Sequence, residues 1–367
     1  MSKVLVTGAN GFVGKNVISV LKTLNHEIST FDKKDSLNDL ARLCKNCEFV
    51  IHLAGVNRPE NTADFYTGNF DLTNELCKLL ESNKNPSPII LSSSIQAELD
   101  NDYGKSKKQA EDRLLEHSKK NNSPVYIFRF KNLYGKWSRP NYNSVIATWC
   151  YNISHGLDIT INDPSKKIEL CYIDDVVSAI ILKLDGKSKT DFYEVMPTDM
   201  VSLGEIQDLL VSFKNSRTVF SYPQQDSRFA KNLYATYISY FDTKNFSYPL
   251  LTKSDDRGSF TEILKSQTEG QVSVNVSKPG ITKGQHWHST KNEKFLVVHG
   301  QGVIRFRDIF NNEIIEYKVS GDKLEVVDIP TGYTHNIENL GNDDMVTIIW
   351  ASELLNPDKP DTNYEEV

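Results

Sequence analysis

Cysteine is scarce and odd in number: five in 367 residues, at Cys44, Cys47, Cys77, Cys150 and Cys171. A disulfide frame needs a denser, paired set, so these are expected to be reduced thiols. The Cys44-x-x-Cys47 pair has no second pair and no nearby histidine, which argues against a metal or redox centre there. Also missing is any run approaching the roughly 18–20 consecutive apolar residues of a membrane-spanning helix. The opening MSKVLVTGANG has no basic segment leading into an apolar core and a small-residue cleavage site, and a cytoplasmic protein is expected. Neither sign of charge dominates, with 42 Lys and Arg against 48 Asp and Glu and a net charge of −6. That balance offers no general attraction to nucleic acid or an anionic membrane, although a local basic pocket remains compatible with it. No repeat or low-complexity segment is visible, and 39% hydrophobic with 25% charged residues is an ordinary globular composition.

At roughly 100–200 residues per domain, the length calls for two or three domains. Residues 1–182 alternate short β-branched runs with longer helical stretches: KVLVT (3–7), EFVIHLAG (48–55), PIILSSS (88–94) and VYIFRF (125–130) are the runs. That rhythm predicts a Rossmann-like α/β domain, a parallel sheet wound with helices on both faces. A helix (IQDLLVSF), a polar stretch and the aromatic run LYATYISYF follow, the last reading as a connector. Beyond Tyr248 come closely spaced strands: QVSVNVS, EKFLVVHG, GVIRFRD, EIIEYKVS, KLEVVDIP and DMVTIIWA. These predict an all-β barrel or sandwich. The expected domains are 1–245 and 246–367, and the tail NPDKPDTNYEEV reads as an exposed acidic terminus.

In the first domain, TGANGFVG places Gly8, Gly11 and Gly14 between a strand and a helix. Gly8 permits a tight turn, Gly11 lets amides approach a pyrophosphate, and Gly14 lets the helix pack close. The helix start at Phe12 and Val13 then faces the phosphates. Asp32, about 20 residues on, suits the ribose hydroxyls of NAD, whereas Lys33 and Lys34 suit the 2′-phosphate of NADP. These residues alone leave that choice open, and a solvated charge cluster is the plain alternative. Tyr103 and Lys107 lie four apart on a helix, where an ammonium beneath a phenol lowers its pKa. Ser92, Ser93 and Ser94 end the fourth apolar run and can supply a hydroxyl to the same oxygen.

This set resembles the extended short-chain dehydrogenase/reductases that act on nucleotide sugars, over roughly residues 1–240. The resemblance includes HLAG (52–55), Asn69 in GNFDLTNEL, RFKNLYG (129–135) and YIDDVV (172–177). It implies Tyr103 as acid/base, Lys107 as its activator and nicotinamide-ribose ligand, and Ser94 as the carbonyl-binding hydroxyl, with Ser93 as fallback. It also implies that Leu53, Ala54, Gly55 and Asn69 line the cofactor, that Asn132 and Asn143 lie near substrate, and that Arg129 is structural. Dehydratases of the family carry an Asp-Glu pair after the catalytic hydroxyl. Ile95-Gln96 stands there instead, which disfavours dehydration and leaves reduction or an epimerase cycle.

In the second domain, GITKGQHWHSTKNEKFLVVHG holds His286 and His288 two apart on a strand, with Glu293 at the start of the next, and PTGYTHNIEN adds His335. Three imidazoles and a carboxylate suit Zn, Fe, Mn, Ni or Cu. The spacing resembles both motifs of the cupin superfamily, except that Leu324 replaces an expected glycine. DDRGSFTEI (255–263) resembles a segment of dTDP-4-keto-sugar 3,5-epimerases, which use a histidine base and no metal, so ligand and base compete for His286. His52 and His299 read as packed or surface histidines.

The pairing of domains resembles the CapF/WbjC type of bifunctional capsular-polysaccharide enzyme across the chain, through LAGVNRPE, SSSIQA, NYNSVIAT, FSYPLL and DDRGSFTE. The resemblance implies a UDP-2-acetamido-2,6-dideoxy-hexos-4-ulose substrate, zinc-dependent 3-epimerisation, and NADPH-dependent 4-reduction to UDP-N-acetyl-6-deoxytalosamine on the way to UDP-N-acetyl-L-fucosamine. It further implies NADP(H) rather than NAD, and a homodimer. The alternatives are a reductase whose cupin metal is only structural, and a non-catalytic dinucleotide-sensing protein.

Overall fold

The computed structural model describes residues 2–266, 268–354, 358 and 360–367, and its internal contacts separate two compact units. The first comprises residues up to Val211 together with Gln225–Asp242; the second comprises Ser212–Gln224 and the chain from Thr243. A single boundary at 245/246 is therefore too simple. Residues Ser212–Gln224 join the second unit through backbone hydrogen bonds of Phe220 and Tyr222 to Lys265, and Phe220 stacks on Tyr248. The aromatic run expected as a connector is largely helical, because Arg228–Ile238 buries Leu233 and Tyr237 on one face.

In the first unit, β1 (Lys3–Thr7), β3 (Phe49–His52), β4 (Ile89–Ser94) and β5 (Val125–Phe130) are mainly buried along their length, whereas edge strand β2 (Glu27–Phe31, EISTF) buries only Phe31. Helices cover both faces of a parallel sheet, so alternation with polar residues is not needed. Short strands β6 (Asn132–Tyr134), β7 (Lys167–Tyr172) and β9 (Asp199–Ser202) form a small separate sheet, while β8 (Asp191–Tyr193) completes the main one. The main order is β2-β1-β3-β4-β5-β8, every pair parallel. Strand order reverses beside β1, between it and β3, and a crevice forms at the carboxyl ends of strands at such a switch point. No described helix is long and apolar enough to cross a membrane. All five cysteines are free and buried, and burial pushes every thiol up, so the Cys44/Cys47 pair has the character of core packing.

The second unit is antiparallel. One sheet runs β10 (Thr252–Asp255), β11 (Gly258–Ser266), β12 (Gly270–Ser277), β19 (Met345–Ala351), β14 (Glu293–His299), β17 (Val326–Ile329). The other runs β16 (Ile314–Ser320), β15 (Gln301–Asp308), β18 (Tyr333–Asn339), β13 (Thr282–Trp287), β20 (Asn363–Tyr364). Phe295, Val297, Ile304, Phe306, Ile329 and Ile337 form a core from both sheets, as the two inner faces of a barrel or sandwich require. The tail is largely exposed, as expected, but it is also paired into the sheet. Asn356, Pro357 and Lys359 lie outside the described residues, but Asn363 and Tyr364 pair with Trp287 and His286, and Arg307 bridges Glu365 at 2.8 Å.

Candidate active sites

The glycine loop shows why Gly8 and Gly14 are needed, whereas a Cβ on Gly11 would meet only the Gly8 carbonyl, at 3.1 Å. Gly8 has φ +68°, and a Cβ on it would stand 2.7 Å from the Ala54 nitrogen; one on Gly14 would stand 2.3 Å from the Gly8 carbonyl. The loop after β1 thus lies directly against the Leu53–Gly55 segment after β3, with Ala54 N–H donating to the Thr7 hydroxyl. The helix Phe12–Thr23 starts here without a side-chain cap. Its first-turn amides have no intrahelical acceptor, which is the condition for holding a phosphate. Phe12 and Val13 themselves pack against the core of the sheet, so their contribution to an anion site is through backbone amides. Asp32 accepts from Asn10 N–H at 2.7 Å and from Lys33 N–H at 2.8 Å, tying the end of β2 to the glycine loop. Lys33 and Lys34 are exposed.

Asn69 sits in a π-helical turn, Tyr66–Asp71, a rare geometry that recurs at functional sites. Its amide donates to the Val56 carbonyl and the Ser106 hydroxyl and accepts from Val56 N–H, so it clamps the loop after β3 and leaves no N–H free for a cofactor. His52 lies between the Thr7 and Thr73 hydroxyls at 2.6 and 2.9 Å; burial, then the nearby Lys107 charge, pushes it down to about 3. It is a packed histidine, and His299 is exposed.

Tyr103 lies in the first turn of the helix Asp102–Asn121, whose start is fixed by the Asn101 side chain accepting from Gly104 N–H at 2.8 Å. A Cβ on Gly104 would meet the Gln96 carbonyl at 2.2 Å, so this glycine lets the helix start press against the turn after β4. That approach puts the Ser94 hydroxyl near enough to the Tyr103 phenol to favour its ionised form. Ser93 is not available for the same job, because its hydroxyl donates to buried Glu111 at 2.6 Å. Glu111 also takes a two-point contact from Arg129, which bridges Glu98 as well, so Arg129 is engaged structurally.

One expectation changes sign. Burial pushes the Tyr103 phenol up, with the nearby Ser94 opposing and Tyr142 adding to the rise. Lys107 does not draw it down: its Nζ donates to the Ser92 carbonyl at 2.9 Å, and burial pushes the amine itself down to about 8. A protonated phenol beside a serine hydroxyl is still the state that can deliver a proton to a ketone oxygen. The two asparagines expected near substrate are less engaged. Asn132 donates to the Glu169 carbonyl at 3.1 Å, and Asn143 is exposed; from that segment it is Tyr142 that influences Tyr103.

In the second unit, His286 (β13), His288 just beyond it, Glu293 (first residue of β14) and His335 (β18) bring one donor atom each to within 4.8 Å of one another. His288 Nε2 and His335 Nε2 stand 3.4 and 3.5 Å from Glu293 Oε2, and the two imidazole nitrogens form no hydrogen bond. His335 Nδ1 is unpartnered too. Leaving buried nitrogens unpaired is costly, and a divalent cation among these donors relieves it, so the residues fit a metal. His288 Nδ1 donates to the Asp361 carbonyl, which fixes the ring and turns its other nitrogen toward the cluster. The Asp361 carboxylate accepts from the N–H groups of Ser289, Thr290 and Lys291, which outweigh burial and hold it well below the usual range. Burial acts to raise Glu293, but the two imidazoles and the Lys291 ammonium hold it well below too, whereas burial and the neighbouring imidazoles push His286 down to about 4. Asp361 was not visible as a site residue from sequence, since a lone acid 68 residues beyond Glu293 carries no spacing signal.

A parallel dinucleotide-type sheet with a Ser/Tyr/Lys set, followed by a cupin barrel with a four-donor cluster, defines a nucleotide-sugar enzyme of the short-chain dehydrogenase/reductase class. Residues 4–195 match the NAD dependent epimerase/dehydratase family and residues 253–363 the polysaccharide biosynthesis C-terminal domain. The chain is 44% identical to the UDP-2-acetamido-2,6-beta-L-arabino-hexul-4-ose reductase of Pseudomonas aeruginosa, over 98% of this chain and 97% of that one. It matches the crystal structure of the capsular polysaccharide assembling protein CapF from Staphylococcus aureus at 51% identity and a TM-score of 0.93, over 99% of this chain and 100% of that one. UDP-glucuronic acid 4-epimerase from Bacillus cereus shares the fold of 65% of the chain, covering 98% of its own, at 17% identity and a TM-score of 0.53. The chain belongs to the NAD dependent epimerase/dehydratase family, in its CapF type, and is a nucleotide-sugar reductase that uses a nicotinamide cofactor.

Proposed function

We propose that the cupin domain inverts C3 of a UDP-2-acetamido-2,6-dideoxy-hexos-4-ulose and that the first domain reduces its C4 ketone with NADPH. The product is UDP-N-acetyl-6-deoxytalosamine, a precursor of UDP-N-acetyl-L-fucosamine for capsule. The observation that carries this reading is the presence in one chain of a Ser94/Tyr103/Lys107 set and a four-donor cluster whose His288 and His335 are buried with unpaired nitrogens. Both chemistries need the same group, because a proton on a ring carbon becomes removable beside a ketone and the ketone is then consumed by reduction.

In the reduction, Tyr103 gives its proton to the C4 oxygen, Ser94 hydrogen-bonds that oxygen, and Lys107 holds its charge beside them. Bound nicotinamide supplies the hydride. The amides of the first helical turn hold the pyrophosphate and supply the anion binding that a chain of net charge −6 lacks overall. In the cupin domain, His286, His288, Glu293 and His335 would hold a divalent cation, zinc by family likeness, which supplies Lewis acidity to a carbonyl brought beside it.

The preference for NADPH rests on exposed Lys33 next to an Asp32 whose two oxygens each already accept a backbone N–H. A charge-assisted bond of about 1.5–3 kcal/mol corresponds to roughly 10- to 100-fold in affinity. Steady-state kinetics with the 4-keto sugar should therefore show Lys33→Ala raising the KM for NADPH by at least about 10-fold, with little change for NADH. An equal rise for both cofactors, or a wild-type preference for NADH, contradicts it.

A further inference from the structure

Inversion beside a ketone needs a base, and His286 is occupied once it ligates a cation. A cavity of about 310 Å³ reaches the cluster and contains five further ionisable side chains, Lys253, Glu262, Lys283, Lys291 and Glu353. Glu262 is paired with Lys265 at 3.0 Å, Glu353 accepts from the Thr290 hydroxyl at 2.9 Å, and Lys291 stands 3.8 Å from Glu293. Lys253 lies on exposed edge strand β10. Lys283 is different in how it is aimed and how it is bonded.

Simple alternation along β13 puts positions 283 and 286 on opposite faces. The strand breaks that rule: its register with β18 shifts between Gly284 and His286, and Gln285 between them has φ +65°. This bulge leaves Lys283 opposite Ile337 and His286 opposite His335. Ile337 and His335 are two apart on β18 and share a face, so Lys283 and His286 both reach the cavity. Lys283 Nζ donates to the Asn275 side-chain oxygen and the Val276 carbonyl, each at 2.8 Å, and makes no ion pair among the described residues. A neutral primary amine has two N–H bonds, and both find acceptors here, which leaves its lone pair for the cavity. Burial also lowers the pKa of this amine.

We propose that Lys283 is the base that removes the proton from C3 of the keto sugar, an assignment that rests on the epimerase reading above. The C3–H bond breaks toward Nζ, its electron pair forms the C3=C4 double bond, and the carbonyl π pair moves onto O4 as enolate. Water in the open cavity returns a proton to C3 from the opposite face as the enolate collapses to the ketone. The Lys283 ammonium gives its proton to the hydroxide so formed, which regenerates amine and water.

The test is deuterium incorporation at C3 of the UDP-4-keto sugar in D2O without nicotinamide cofactor, followed by NMR, with metal content measured on the same samples. Lys283→Ala and Lys283→Met are expected to exchange at least about 100-fold more slowly than wild type while retaining metal. Added methylamine should restore exchange to the alanine variant in proportion to its concentration. Wild-type exchange in either variant, absence of amine rescue in a metal-replete alanine variant, or loss of metal in both variants overturns the assignment. Failure of the wild-type protein to exchange overturns the epimerase reading instead, so the two failures are distinguishable.

Discussion

Tyr103→Phe should lower the rate of ketone reduction by about 10²–10⁴-fold, the range for loss of a positioned proton donor, while leaving proton exchange at C3 intact. The substitution removes one oxygen, the one whose ionisation Ser94 favours, and keeps the ring that packs 5.6 Å, centroid to centroid, from Phe65. Stopped NADPH oxidation with retained exchange is the expected pattern, and undiminished oxidation refutes the assignment. The same apparatus sets a pH limit. Because burial holds the Lys107 amine near 8, it is charged below that pH and loses its charge as pH rises through it. The kcat/KM for reduction should therefore fall on the alkaline side of about 8, and a profile flat to about 10 would show that this charge is not required.

His288→Ala should strip most of the metal from the cupin domain and abolish exchange at C3, while the first domain still reduces a ketone already inverted there. The expectation comes from the geometry of this one ring. Its Nδ1 is held by the Asp361 carbonyl, its Nε2 is buried without a partner, and Glu293 lies 3.4 Å away. Removing it takes away one of four donors and leaves the Glu293 carboxylate short of the imidazole that helps hold it ionised. Elemental analysis checks the first part; full metal occupancy in the variant would move the ligand assignment elsewhere.

The features legible in sequence were those carried by short-range patterns. The runs at 3–7, 88–94 and 125–130 become strands almost residue for residue because both faces of a parallel sheet are apolar. The glycines of the nucleotide loop and the His286/His288/Glu293/His335 spacing were legible because backbone clearance and donor chemistry admit few other residues. What sequence left open depended on partners far along the chain. Ser93 and Ser94 are equivalent until Glu111, 18 residues on, takes Ser93. The tail is exposed as read, but nothing local reveals that Asp361 carries the loop of His288, or that β20 pairs with β13. The bulge at Gln285 was hidden for the same reason, since register is a property of two strands. The division near residue 246 was blurred because Ser212–Gln224 finds its hydrogen bonds at Lys265.

The central claim is that one chain performs proton exchange and hydride transfer on the same ketone at separate sites. Its most direct measurement is to incubate the metal-replete wild-type protein with the UDP-4-keto sugar in D2O with no nicotinamide cofactor and to read C3 by NMR. Deuterium at C3 before any reduction is the predicted result. No deuterium, from protein that oxidises NADPH normally with the same sugar, would contradict it.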